Sequence, residues 1–169
     1  MTTNTNPVDL TAADDFDLND LPERMSFAPW PKGVFDVTVE EITNDTREYG
    51  DGNIVPVILF KVTLDDIIEV SAKTETADMP AIGAINEWAF SKVGKDDLGT
   101  KRSQGEIRML GTPFAVACGS AKASDWMPAA KGMKVRLVTS LSKGKKKEDG
   151  SEPRVYSNIA NIAVLDLMY

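Results

Sequence analysis

The chain has no histidine. That excludes Ser-His-Asp and Cys-His catalysis, histidine general bases and zinc sites built on imidazole. Its one cysteine, Cys118, can form neither an internal disulfide nor a thiolate metal cluster, so the chain reads as cytosolic. No run of about eighteen apolar residues occurs, so no membrane-spanning helix is predicted. The opening MTTNTNPVDLTAADD has neither a basic n-region nor an apolar h-region, and no secretory signal is expected. A Walker loop is missing as well, because Gly144 in SKGKKKEDG has neither the spacing nor the Lys-Ser/Thr ending that cradles phosphate. No GxGxxG follows a strand pattern. The carboxylate pairs Asp65-Asp66 and Asp96-Asp97 could hold a hard cation, but adjacent aspartates of this kind read as turn formers. The expectation is a protein without catalysis, cofactor or metal.

What the chain does have is segregated charge. Eight cations lie between residues 131 and 154: Lys131, Lys134, Arg136, Lys143, Lys145, Lys146, Lys147 and Arg154. Three acids, Glu148, Asp149 and Glu152, dilute them. The first thirty residues carry the opposite sign, with Asp9, Asp14, Asp15, Asp17, Asp20 and Glu23 against Arg24. A net charge of -7 combined with one local basic stretch points to an anionic partner for that stretch. Nucleic acid is the first candidate, since Lys and Arg contacts to phosphate supply most non-specific binding. The competing reading is a solvated hairpin tip and an acidic tail that maintains solubility.

The 169 residues suit one domain with tails. Residues 1–28 read as a disordered acidic tail, and residues 29–169 as the folded domain. Within the tail, Asp14, Asp15, Phe16, Asp17, Leu18 and Asp20 alternate acids with hydrophobes. That pattern suits a partner-docking motif, or a strand-like tail lying on a basic groove. Order should begin at Pro29-Trp30-Pro31-Lys32-Gly33. VFDVTVEEI then alternates with period two, as a first strand does. A polar loop, NDTREYGDGN, leads to IVPVILFKVTL, apolar on nearly both sides, with Pro56 suggesting a bulge or an edge. Asp65-Asp66 predicts a tight turn into a third strand, IIEVSAKTE. INEWAFSKV fits a fourth strand or a short helix. Ser103 and Glu106 form a capping box that predicts a helix through Ile107, Leu110, Phe114 and Cys118. A break is expected near Pro113 and a stop at Gly119. MKVRLVTSL and VYSNIANIAVLDL form a closing hairpin.

Alternation on that hairpin predicts that Lys134, Arg136, Arg154 and Tyr156 emerge together beside the lysine-rich tip. Cations around an aromatic platform are what sequence-tolerant single-strand binding needs. Three strands, a helical connection and a hairpin are also the order of an oligonucleotide-binding (OB) barrel, whose strands two and three and adjoining loops hold the ligand. The expected fold is therefore mainly β: a five-stranded OB-fold-like barrel with one connecting helix. Arg47 and Tyr49 sit in its first loop, Lys61 and Lys73 on the expected ligand face, and Trp88 in a middle segment.

With these segments in view, PKGVFDVTVEEITNDTREYGDGNIVPVILFKVTL and the closing GMKVRLVTSL…VYSNIANIAVLD resemble a family of small bacteriophage proteins with an OB fold. The resemblance covers about residues 29 to 166. It implies a protein that coats single-stranded DNA in phage replication and recombination, in the host cytoplasm. The implied contacts are Arg47, Lys61, Lys73, Lys134, Arg136, Lys143, Lys145, Lys146, Lys147 and Arg154 to phosphate, and Tyr49, Trp88 and Tyr156 to bases. The acidic segment would recruit phage or host replication and recombination proteins, or compete with DNA. Single-strand binders of this kind commonly carry their acidic tail at the C-terminus, whereas this chain ends in NIAVLDLMY. The insert at residues 74–105 has no obvious family counterpart. The alternative expectation is a virion structural or assembly protein that uses a β-barrel domain for protein contacts.

Overall fold

The computed structural model describes residues 29–49, 52–74, 78–144, 148–150 and 155–165. The expected tail at 1–28, with its docking residues Asp14 to Asp20, lies outside them. So do Lys145, Lys146, Lys147 and Arg154.

Five strands and two helices follow in the order β1 (Gly33–Glu48), β2 (Ile54–Val70), β3 (Ile85–Ser91), α1 (Asp97–Cys118), α2 (Ala123–Ala129), β4 (Lys134–Lys143) and β5 (Val155–Val164). All strands join one antiparallel sheet in the order β3-β2-β1-β4-β5. The mainly-β expectation and the count of five strands hold. The barrel is corrected: the sheet is not closed, because β3 and β5 are its two edges and do not pair with each other. The single connecting helix is corrected to two.

The third strand is also not where the Asp65-Asp66 turn put it. β2 runs straight through that pair, and the sheet absorbs it as a bulge. Asp36 faces Asp66 while Val37 faces Leu64, which leaves Asp65 as an extra residue. Ile68 on β2 and Glu40 on β1 are extra in the same way. An extra residue bends and twists its strand, and three of them coil this ribbon strongly. INEWAFS supplies the real third strand, with Asn86, Trp88 and Phe90 turned inward.

The helix also starts earlier than Ser103. Asp96 is the cap, its side chain accepting from Gly99 N at 2.6 Å, so the first turn forms seven residues upstream. Pro113 does not break α1. Its lost amide leaves one carbonyl short, while Thr112 Oγ1 donates to Arg108 O at 2.6 Å in the same turn. Gly119 ends the helix as expected, with φ of 76° and its N–H bonded to Ala115 O.

The core is an unbroken relay of aromatic rings. Phe35 meets Trp30 at 5.2 Å, and Trp30 meets Trp88 edge-on at 5.5 Å. Trp88 then meets Phe60 at 6.1 Å, Phe60 meets Phe114 at 6.2 Å, and Phe114 stacks on Trp126 at 6.5 Å. The relay ties the lead-in to β1, the inner strands and both helices together. Thr139 fixes the lead-in from the other side, its buried hydroxyl donating to Pro31 O at 2.7 Å. α1 meets α2 where Gly111 faces Trp126. A Cβ at Gly111 would stand 2.7 Å from the indole ring. Overpacking of this kind costs about 1–3 kcal/mol, and alanine recovers roughly 1 kcal/mol of helix propensity. Gly111→Ala should therefore lower stability by up to about 2 kcal/mol in urea unfolding, with an unchanged m-value.

Candidate nucleic-acid interface

Because the sheet coils without closing, its edge strands β3 and β5 face each other across a groove of about 840 Å³, with α1 as its floor. Residues 87–91 form one wall and residues 156–160 the other, joined by Ser140 and Ser142 of β4 and by Ser103, Gly105, Glu106 and Met109 of α1.

Each end of the groove carries a hairpin tip. At the β1–β2 tip, Arg47 donates to Glu87 Oε1 at 2.8 Å, and Tyr49 Oη lies 3.3 Å from Ser91 Oγ. Glu87 and Ser91 both belong to the β3 wall, so these contacts hold the loop against it. The Tyr49 ring remains 46% exposed. At the β4–β5 tip, Lys143 pairs with Val155 and Ser142 with Tyr156, and Asn158 Nδ2 donates to Ser142 Oγ at 2.8 Å. Tyr156 is 47% exposed and lines the groove. Each tip therefore presents a cation and an exposed tyrosine, Arg47 with Tyr49 and Lys143 with Tyr156. The connection after Lys143 leads into Lys145, Lys146 and Lys147.

Other expected contacts lie elsewhere. Trp88 is corrected from a base-stacking platform to a core residue, 8% exposed, because the inward parity of β3 drives it between Trp30 and Phe60. Arg136 does not join Tyr156. It pairs with Ala163, whereas Tyr156 pairs with Ser142, six positions and about 20 Å further along β4. Arg136 instead forms a two-pronged bond to Asp36, at 2.8 and 3.0 Å. Lys134 lies 4.0 Å from Asp65, and Lys61 stands between Glu41 and Glu87 in register. Lys73 is exposed in the turn after β2, away from the groove lining. The β1–β2–β4 face thus matches its cations with acids and forms no basic track.

The hydroxyl and amide lining of the groove (Ser91, Ser103, Ser140, Ser142, Ser157 and Asn158) was not predicted. The serines become a set only when β3 and β5 stand opposite each other, and no local pattern encodes that. Among the described residues, no group of three or more His, Cys, Asp or Glu is placed to hold a metal ion, and no helix is long and apolar enough to cross a membrane. No family model and no curated protein sequence matches the chain.

Proposed function

We propose that this protein binds single-stranded DNA without catalysis, coating it in phage replication and recombination as the family resemblance implies. The observation that carries the reading is the β4–β5 tip, where Lys143 and the exposed Tyr156 stand at the groove, with a second exposed tyrosine, Tyr49, at the β1–β2 tip beside Arg47, which is held by Glu87. Phosphates take the cations and bases stack on the rings, an arrangement that tolerates any sequence because every base has a π-face. The order of elements supports an OB-type architecture. Three strands, a helical connection and a hairpin leave β3 and β5 as free edges, and joining them would complete a five-stranded barrel. The loops after the first and fourth strands, which flank the ligand in such folds, are here the two tyrosine-bearing tips. The acidic segment, with Asp14, Asp15, Phe16, Asp17, Leu18 and Asp20, would dock a replication or recombination partner.

Fluorescence anisotropy with labelled oligo-dT and a matched duplex, across a salt series, tests this. Single-strand preference with steep salt dependence is the expected result. Tyr156→Ala should weaken oligo-dT binding by about 1–3 kcal/mol, the worth of one stacked base, with little change in salt slope. The matched charges on the β1–β2–β4 face favour the rival, an assembly protein that uses this face for protein contacts. Absence of binding at low salt would transfer the conclusion to it.

A further inference from the structure

The outer half of β1 is an edge of the sheet. β4 pairs with β1 only as far as Thr38. The chain leading into β4 then closes that side at Val39, where Gly132 N donates to Val39 O at 2.8 Å and Val39 N donates to Met133 O at 2.9 Å. From Glu41 to Glu48 the strand pairs with β2, and among the described residues no strand pairs with its other side. Tyr49 N donates to Asn53 O at 2.9 Å, on the β2 side. Backbone groups alternate sides along an antiparallel ladder, so Arg47, Asp45, Thr43 and Glu41 also face β2. Ile42, Asn44, Thr46 and Glu48 turn theirs outward. The Thr46 amide fits this parity, since a side chain meets it, Asp45 Oδ1 at 2.8 Å. Such an edge is a template for a further strand.

The charges along this edge select a second copy of the chain as that strand. Two copies that pair antiparallel share a two-fold axis, at which one residue faces its own counterpart. With the axis at Thr43 or Asn44, Glu48 of the second copy would pass beyond Glu41, where Gly132 and Met133 already hold the edge. An axis at Asp45 or Arg47 sets like charges directly opposite each other, which destabilises a strand pair. The axis at Thr46 does neither. It sets Asp45 opposite Arg47 of the second copy, twice by symmetry, and Thr46 opposite Thr46, and both kinds of pair stabilise a sheet. Arg47 can accept this neighbour while one nitrogen stays bonded to Glu87, because a guanidinium carries five donors. The turn of the second copy, closed by Gly52 N donating to Tyr49 O at 2.9 Å, then ends beside Ile42. A cavity of about 520 Å³ receives it there, between Ile42 and Thr43 of β1 and Met127, Pro128 and Lys131 at the end of α2. We infer that two copies of this chain join their sheets through residues 44–48 of β1. The pairing goes beyond the nucleic-acid reading and does not depend on it, because its test contains no DNA.

Sedimentation of the full chain tests the pairing. Its mass should rise from one chain toward two between about 1 and 200 µM, as suits an interface below the standard size. Asp45→Lys turns both symmetric attractions into repulsions and should raise the dissociation constant by about tenfold or more. Cross-linking locates the axis. In a Cys118→Ser background, Thr46→Cys should give a disulfide-linked dimer under oxidised glutathione, because the Cα atoms of a hydrogen-bonded pair lie about 5.5 Å apart, within disulfide reach. Asn44→Cys should not, since its two copies stand four residues, about 13 Å, out of step. A chain that stays monomeric across the whole range would overturn the inference. So would an unchanged dissociation constant in Asp45→Lys, or cross-linking at position 44 in preference to 46.

Discussion

Reversing Lys145, Lys146 and Lys147 to glutamate is expected to weaken oligo-dT binding by about a hundredfold or more at low salt. The estimate takes three charge-assisted phosphate contacts at about 1 kcal/mol each. The salt slope should flatten by about two, since each single-strand phosphate contact contributes roughly 0.7. The site makes this the largest functional effect available. These lysines follow Lys143 in sequence, and Lys143 lies one position beyond Ser142, the register partner of the exposed Tyr156. Arg136→Ala is the informative contrast. Its guanidinium is already held in a two-pronged bond by Asp36, whose side chain is 16% exposed. Its removal should lower stability by about 1 kcal/mol or more and leave the salt slope alone. Equal losses of DNA affinity in both variants would remove the tip from the interface. Unchanged binding in the lysine variant would move the conclusion to the assembly protein.

The same contrast explains how much of the site was legible in the sequence. Period-two alternation located β1, the start of β2 and the closing hairpin, because each buries one face. The positions of Arg47, Tyr49, Lys143 and Tyr156 at the ends of strands were legible because strand ends and loops are local features. The failures had non-local causes. Asp65-Asp66 has the composition of a turn, but a bulge accommodates it at no loss of pairing on either side, so β2 continues to Val70. Trp88 had no visible partner in the sequence, and its burial is decided by Trp30, fifty-eight positions away, and by Phe60. Arg136 counts as a free cation until the register of β1 with β4 sets Asp36 opposite it. Asp96 displaced Ser103 as the cap because both are good N-cap residues and the earlier one recruits seven more helical residues.

Phe114→Ala should be the most destabilising single change in the described core, at about 3–5 kcal/mol. Phe114 is fully buried and touches rings on both sides, Phe60 from the sheet and Trp126 from α2. Its removal therefore opens a cavity between layers that cannot both close on it. The loss is a large share of the roughly 5–15 kcal/mol that typically holds a domain folded. Urea unfolding should show a lower midpoint with an unchanged m-value. The consequence reaches the groove as well. α1 is held to the sheet through this ring, and about two turns of the same helix supply Ser103, Glu106 and Met109 to the groove floor. A variant that remains folded should therefore loosen the groove floor, with faster exchange in α1 around Ser103 to Met109, before it loses the β1–β2 ladder. Loss of both together would mean that sheet and helices unfold as a single cooperative unit, with no separable stability at the groove.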